Sequence, residues 1–366
     1  MKTKSSDLVT CVLFFGFLSL MLVLFAVLPK EVFSETEKRY LEKSPELTWK
    51  DVLSGEFGES AETYLADHMP ARNNLVGLNA WYDYCSGRQV TKDVYVAQGE
   101  SLVEAPAVWD ERTVSKNMKA INAFAEETGK TVEFMLVPSA GFVRENEILG
   151  LHDPYTDDLL IGEIYALAGE AVNCRDLLPV LTEPEHYYRT DHHWTCEGAY
   201  RAYAFLMEQL GRDYPSCDAF TVERYEGFYG SNHSRGGFWS FASDSVELWK
   251  KDALLSVTMG EASYDTLFFE ERLEELDKYT VYLNGNQPLV RIENPEGEGS
   301  ILVIRDSYAN CLGTFLPHTY DSVVRVDLRY YKEPVSELLA EQEIEDVLIC
   351  YSIGNFLSDN NLIFLR

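Results

Sequence analysis

Asp191 and His193 stand two residues apart in "YYRTDHHWTCEGAY", residues 187–200. On a helix that spacing sends two side chains to nearly opposite sides; on an extended strand or loop it points both to one side. Thr195 suits the N-cap of the helical pattern that follows, so 188–194 is read as extended. An aspartate so placed can hold the Nδ1–H of a histidine, fix its tautomer and leave Nε2 free as a base. The competing reading is that Asp191 caps a turn and the histidines pack. A metal site built from Asp191, His192 and His193 is disfavoured. Neighbouring histidines face opposite ways on an extended chain, and no H-x-x-x-H occurs. No metal and no cofactor is expected.

A base needs a nucleophile. In "ILVIRDSYANCLG", residues 301–313, Leu302, Val303 and Ile304 form a buried strand pattern, and Ser307 follows at its carboxyl end, before a helix-like stretch. Open α/β sheets bind ligands at that edge. A helix start there offers N–H groups and a positive dipole end to an oxyanion. Capping by Asp306 or Ser307 is the plainer alternative. Two other serines end apolar runs: Ser139 in "VPSAG", which lacks the first glycine of a nucleophile elbow, and Ser352 in "YSIGN".

The elements that must position these residues alternate between the two periodicities. "DVYVAQGESLVEA" reads as a hairpin, "VSKNMKAINAFAEETGK" as an amphipathic helix closed by Gly129, and "TVEFMLVPSAG" as a buried strand. A helix, "CEGAYRAYAFLMEQLG", follows the Asp-x-His stretch. "SILVIRDSY", "SVVRVDLRYY" and "DVLICYSIGNF" are β-branched runs separated by helix-like segments, the pattern of a parallel sheet with helices on its faces. Three regions are expected: 1–29, a membrane-spanning helix; 30–90, a juxtamembrane linker and helical lead-in broken at Pro70; and 91–366, an α/β domain with an insertion at about 213–297. The insertion carries Trp239 and Trp249, which could stack on sugars or form a small satellite core.

Composition narrows the partners. Lys and Arg number 31 against 60 Asp and Glu, a formal charge of −29, so nucleic acid is excluded as a partner. Residues 8–28 carry no charge and are long enough to cross a bilayer, with Lys2 and Lys4 before them. No A-x-A cleavage site follows, which favours an uncleaved signal anchor with the polar remainder outside the cytoplasm. The seven cysteines are scattered, without a C-x-x-C, and their pairing is left open.

"TDHHW" followed by "RDSYAN" resembles the DHHW protein family, related to the alginate O-acetyltransferase AlgX/AlgJ group within the SGNH hydrolase-like fold. "EKRYLEKSPELT", "ADHMPARNN" and "FYGSNHSRGGF" are similar to the same family. The resemblance implies an α/β fold: a three-layer sandwich with a parallel central sheet, its motifs in circularly permuted order, preceded by one transmembrane helix. It implies Asp191 as orienting residue, His193 as base and Ser307 as nucleophile, with no role for His192. Asn355 falls where SGNH enzymes carry an oxyanion asparagine. Arg305 replaces the usual glycine before Asp-Ser. "RYY" replaces a glycine block, which makes Arg329 and Tyr330 candidates beside the oxyanion. The implied function is extracytoplasmic O-acyl transfer, acetyl in the related group, to hydroxyls of a cell-surface or secreted polysaccharide. The implied partner is a multi-spanning MBOAT-type membrane acyltransferase that delivers the acyl group. The alternatives are a carbohydrate acetylesterase using the same triad, and a non-catalytic glycan-binding or scaffold subunit of an export complex.

Overall fold

The structure, a computed structural model, describes residues 5–34, 36–88, 90–341 and 343–365. Lys2 and Lys4, expected ahead of the span, lie outside the described residues. The chain divides into two compact units: Met1–Gly87 with Gly237–Trp239, and Arg88–Gly236 with Ser240–Arg366.

In the first unit α1, Ser5–Val27, is apolar all round from Leu8 onward and, among the described side chains, keeps most exposed. Its Asp7–Val27 stretch is, among the described residues, the one helix long and apolar enough to cross a membrane. Helices α2, Glu56–Asp67, and α3, Arg72–Cys85, flank Pro70, which is the expected break. Arg39 and Arg72 converge on the carboxylates of Glu37 and Asp67. Trp239 belongs to this unit and is half-buried there, its indole Nε1 donating to Asn73 O at 2.9 Å.

The second unit begins with the hairpin β1, Val94–Ala97, and β2, Ser101–Glu104. Helix α4, Glu111–Thr128, follows, capped by Asp110 and closed by Gly129 at φ 66°, a left-handed position that glycine fills without strain. Next come β3, Val132–Val137, α5, Asp157–Tyr165, β4, Val172–Asp176, and α6, Cys196–Leu210. The stretch expected as an insertion forms the hairpin β5, Thr221–Phe228, and β6, Asp244–Lys250. It also supplies β7, Ser256–Met259, β8, Ala262–Tyr264, and β9, Leu289–Glu293, which join the main sheet. The last quarter gives β10, Ser300–Arg305, the short α7, Ala309–Leu312, β11, Ser322–Val326, α8, Val335–Glu341, β12, Asp346–Ser352, and α9, Ile353–Ser358.

The main sheet runs β8-β7-β9-β11-β10-β12-β3-β4. Its five strands from β11 to β4 are parallel; β9, β7 and β8 extend it antiparallel beyond β11. Numbered from β10, the parallel strands stand in the order 2-1-3-4-5, the doubly wound arrangement whose ligand site lies at the carboxyl ends of the strands. The pleat splits the core in two. Ile301, Val303, Leu348, Cys350 and Met135 face α6, α7 and the aromatics Trp194, Tyr203 and Phe315. Leu302, Ile304, Val347, Ile349 and Phe134 face α4, α5, α8 and α9. With both faces covered, the central strands read as unbroken apolar runs. Trp249 packs against Tyr200, Phe220 and Phe315, a satellite of the first core. Cys196 and Cys311 place their thiols 3.2 Å apart in that core.

Candidate active site

Ser307 sits just past the carboxyl end of the central strand β10. The turn is held by Asp306, which is 1% exposed. Its Oδ1 accepts from Tyr308 N–H at 3.0 Å; its Oδ2 accepts from Ser352 N–H, Ser352 Oγ and Asn355 Nδ2, each at 2.8 Å. Asp306 thus caps the turn after Ser307 and ties it to the end of β12. The capping expected of Asp306 or Ser307 falls to Asp306, and Ser307 Oγ is left for another partner.

That partner is His193. Its Nε2 lies 2.9 Å from Ser307 Oγ, and its Nδ1 lies 2.6 Å from Asp191 Oδ1. A carboxylate only accepts, so Nδ1 carries the proton and Nε2 receives the serine O–H. Asp191, His193 and Ser307 are 3%, 6% and 8% exposed, so the three-residue chain is shielded from bulk water. Burial alone would raise the Asp191 carboxyl. The imidazoles of His193 and His192, with hydrogen bonds from His193 and from Ser231 N–H at 2.7 Å, hold it well below the ordinary range.

The segment carrying the pair is not extended, as its spacing alone predicts. Tyr187 and Trp194 pair antiparallel, and Tyr188 N–H donates to His193 O at 3.2 Å, which closes 188–193 into a loop. Asp191 Oδ1 also accepts His193 N–H at 3.0 Å, an aspartate turn that puts both side chains on one side. Both sequence readings of Asp191 therefore hold: it caps a turn and it meets the imidazole. The same bend corrects the orientation of His192. Its ring lies 3.8 Å from that of His193 at 39°, beside it and not opposite. Asp191, His192 and His193 do bring their donor atoms within 4.8 Å of one another. Each near nitrogen is already engaged, His193 Nδ1 by Asp191 and His192 Nδ1 by Ser231 Oγ at 2.6 Å, which fits a hydrogen-bonded cluster better than a ligand set.

"FYGSNHSRGGF" supplies the support under Asp191. A Cβ on Gly230 would stand 2.2 Å from Asp191 Cβ and 2.5 Å from Thr190 O, so only glycine lets Ser231 N–H reach the carboxylate. Thr190 is fixed by Asp244, which accepts its N–H at 2.8 Å and its hydroxyl at 2.6 Å.

Two tyrosines complete the site. Tyr279 stacks on His193 with ring centroids 3.9 Å apart at 11°, and donates its hydroxyl to Tyr308 O at 3.1 Å. Trp194 Nε1 donates to the same carbonyl at 2.8 Å, and Tyr308 donates its own hydroxyl to His192 O. The loop bearing the histidine and the turn bearing the serine are thereby clamped together. Burial pushes both tyrosine hydroxyls well above the usual range, which keeps them donors.

Among the described residues neither rival serine meets a histidine. Ser139 Oγ caps a short helix through Phe142 N–H, and Ser352 Oγ caps α9 while donating to Asp306. Asn355 Nδ2 points to Asp306 Oδ2 and spends one of its two hydrogens there. Arg329 forms a two-pronged pair with Asp327, at 2.9 and 2.7 Å. Burial works against its charge, and the bonds to Asp327 outweigh that. Tyr330 is 55% exposed. Arg305 and Arg325, both fully buried, lie under the serine turn.

The DHHW protein family model matches residues 174–326. The match runs from within β4 to the end of β11 and takes in Asp191, His193 and Ser307. A crystal structure of a DHHW family protein from Eubacterium siraeum superposes with a TM-score of 0.66 at 20% identity, covering 75% of this chain and 95% of that one. Bacillus cereus PatB1, solved with a sulfonyl adduct, gives 0.63 at 20% identity, covering 75% and 98%. The O-acetyltransferase domain of Pseudomonas putida AlgJ gives 0.45 at 16% identity, covering 74% and 94%. No curated protein matches the chain in sequence. The first two structures share their fold with this chain. The three-layer sandwich with a parallel centre is the fold expected from the SGNH-like resemblance.

Proposed function

We propose that the chain is a membrane-anchored O-acetyltransferase that works outside the cytoplasm on hydroxyls of a cell-surface or secreted polysaccharide. The observation that carries this reading is the single imidazole bridging Asp191 and Ser307, at 2.6 and 2.9 Å. His193 Nε2 takes the Ser307 proton as Oγ attacks the acyl carbonyl; the donor's leaving oxygen takes that proton back, and an acyl-serine remains. A sugar hydroxyl then gives its proton to His193 and attacks the ester, which returns Ser307 and leaves an acetylated sugar. All of this uses groups of the chain itself, with no cofactor. Asp191 stabilises the imidazolium formed in both halves.

The family resemblance supports acetyl as the group and a multi-spanning MBOAT-type acyltransferase as its source. The apolar α1 supports attachment to the membrane at which such a source would work. PatB1, which shares the fold, accepts a sulfonyl adduct, and a sulfonyl fluoride is the matching probe here. It should modify Ser307, as read by peptide mass spectrometry, and should fail on Ser307→Ala. Acetyl transfer from a soluble acetyl ester to an oligosaccharide is the activity readout. Hydrolysis with no acetylated sugar formed at any acceptor concentration would replace the transferase by an esterase.

A further inference from the structure

Cys196 and Cys311 are 115 residues apart in sequence, yet their sulfurs stand 3.2 Å from one another. Cys196 opens α6, just after His193 and Trp194; Cys311 lies in α7, just after Ser307 and Tyr308. The pair therefore bridges the two segments that carry the two halves of the site. Those segments already meet at Tyr308. Its carbonyl accepts from Trp194 Nε1 at 2.8 Å, and its hydroxyl donates to His192 O.

Neither thiol has a part in the acyl chemistry, and both are buried, at 1% and 0% exposed. An S–S bond is about 2.0 Å long. The remaining gap is within the reach of side-chain rotation. The surroundings also tolerate the loss of both S–H groups. Cys196 Sγ donates to Glu247 O at 3.1 Å, and the Tyr282 hydroxyl donates to the same carbonyl at 2.7 Å. Glu247 O therefore keeps a partner when the thiol hydrogen goes. A disulfide adds no charge and no unmet donor to this apolar core. Among the described residues no other cysteine makes a thiol–thiol contact. Cys174 Sγ meets the Tyr165 carbonyl, and Cys11, Cys85 and Cys217 are exposed.

We propose that Cys196 and Cys311 form an internal disulfide that locks the histidine arm to the serine turn. This rests on the reading above that the domain works outside the cytoplasm, where disulfides form and persist. The oxidant is a thiol oxidoreductase that carries a disulfide of its own. One cysteine thiolate attacks a sulfur of that disulfide and makes a mixed disulfide. The other thiolate then attacks the cysteine sulfur of the mixed bond and expels the oxidoreductase. One S–S bond is made in the chain, one is lost in the oxidant, and the two thiol protons end on the oxidant's sulfurs.

The exchange belongs to the time when α6 and α7 dock. Once the core has closed, no oxidant reaches the sulfurs, and burial pushes the Cys311 thiol well above its ordinary range, which withholds the thiolate. Joining two points so far apart in sequence removes freedom from the unfolded chain, and the longer the closed loop the larger that effect.

Trypsin cuts after Arg189, Arg201, Arg305 and Arg325. Residues 190–201 then carry Asp191, His193 and Cys196, and residues 306–325 carry Ser307 and Cys311, with one cysteine in each peptide. The full chain from its native host is denatured at lysis in N-ethylmaleimide, which caps every free thiol, and is digested without reduction. Mass spectrometry should find the two peptides as one species, two hydrogens lighter than their sum, and as separate peptides after reduction. In detergent, a phosphine reductant should lower the melting temperature of the chain by about 5 °C or more and leave that of Cys196→Ala/Cys311→Ala unchanged. Both peptides recovered with the maleimide, either cysteine joined to another partner, or a parent melt that ignores the reductant would overturn the inference. An impermeant amine label on intact cells is read alongside. A domain that this label cannot reach would overturn the reading of location, a different result from capped thiols in a domain that it does reach.

Discussion

His193 is the residue on which the chemistry turns, because one ring touches both the carboxylate that orients it and the hydroxyl that it activates. Groups coupled this way fail together. Ser307→Ala and His193→Ala should each lower turnover of an acetyl ester by roughly 10⁴-fold or more, and the double variant should be scarcely worse than either. Asp191→Asn should cost about 10⁴-fold, since an amide nitrogen facing Nδ1 favours the wrong tautomer. Steady-state kinetics on folded variants reads all four. Additive losses would mean that the three side chains do not act as a unit. Asp191 also carries a sign for acid stability. Burial opposes its charge, yet the histidines and hydrogen bonds lower its folded value well below the unfolded value of about 3.9. A depressed carboxylate contributes stability above the unfolded value and loses it as pH falls through the folded one. The melting-temperature gap between the parent and Asp191→Asn should therefore persist from pH 7 to about pH 4 and close only below that. A gap that closes by pH 5 would contradict the hydrogen-bonded carboxylate.

At the scale of elements, the site depends on segments that touch no substrate. Gly230 is the sharpest case: an added methyl would meet Asp191 Cβ at 2.2 Å and lift Ser231 N–H off the carboxylate. Gly230→Ala should lose about 10²-fold in kcat, the scale of a misplacement of about one ångström. Arg325 illustrates the opposite balance. It is fully buried, and its Nε and Nη1 have no partner among the described residues. Buried ionic groups replaced by apolar ones of similar volume are often neutral or stabilising. Arg325→Met removes that desolvated charge but leaves Ala309 O and Asn310 Oδ1 without their donor, so the melting temperature should change little. A large fall in melting temperature would show that the two hydrogen bonds outweigh the cost of burying the charge. Sequence made some of this legible and hid the rest. Strands β3, β10, β11 and β12 stand out because strands buried on both faces must be apolar throughout. The Asp-x-His pair and the strand-end serine stand out because each motif is contiguous. Tyr279 and Gly230 come from the stretch at 213–297, where short strands and turns carry no period, so nothing local says that they face His193 and Asp191. The His192 error has a definite source: a two-residue period was assumed where the chain turns on an aspartate.

For the whole molecule, α1 is apolar all round from Leu8 onward and most of its described side chains are exposed. A chain lacking residues 1–29 should keep its turnover of a soluble acetyl ester and lose acetylation of polymer in cells, with ester kinetics and glycan analysis as the two readouts. Loss of ester turnover would give α1 a part in the fold beyond attachment. The order of strands has a consequence in time. The parallel part of the sheet is arranged β11-β10-β12-β3-β4, so its three middle positions include two strands, β10 and β12, encoded after residue 299. A chain emerging amino end first presents β3 with one open edge, and the carboxylate–imidazole arm with nothing to act on, until nearly all of it has been made. Long-range strand pairing of this kind folds slowly and leaves edges exposed on the way. Maturation is thus gated by the arrival of β10 and β12: a chain that stops short of β10 is a candidate for chaperones or proteases, and it never holds serine and histidine together.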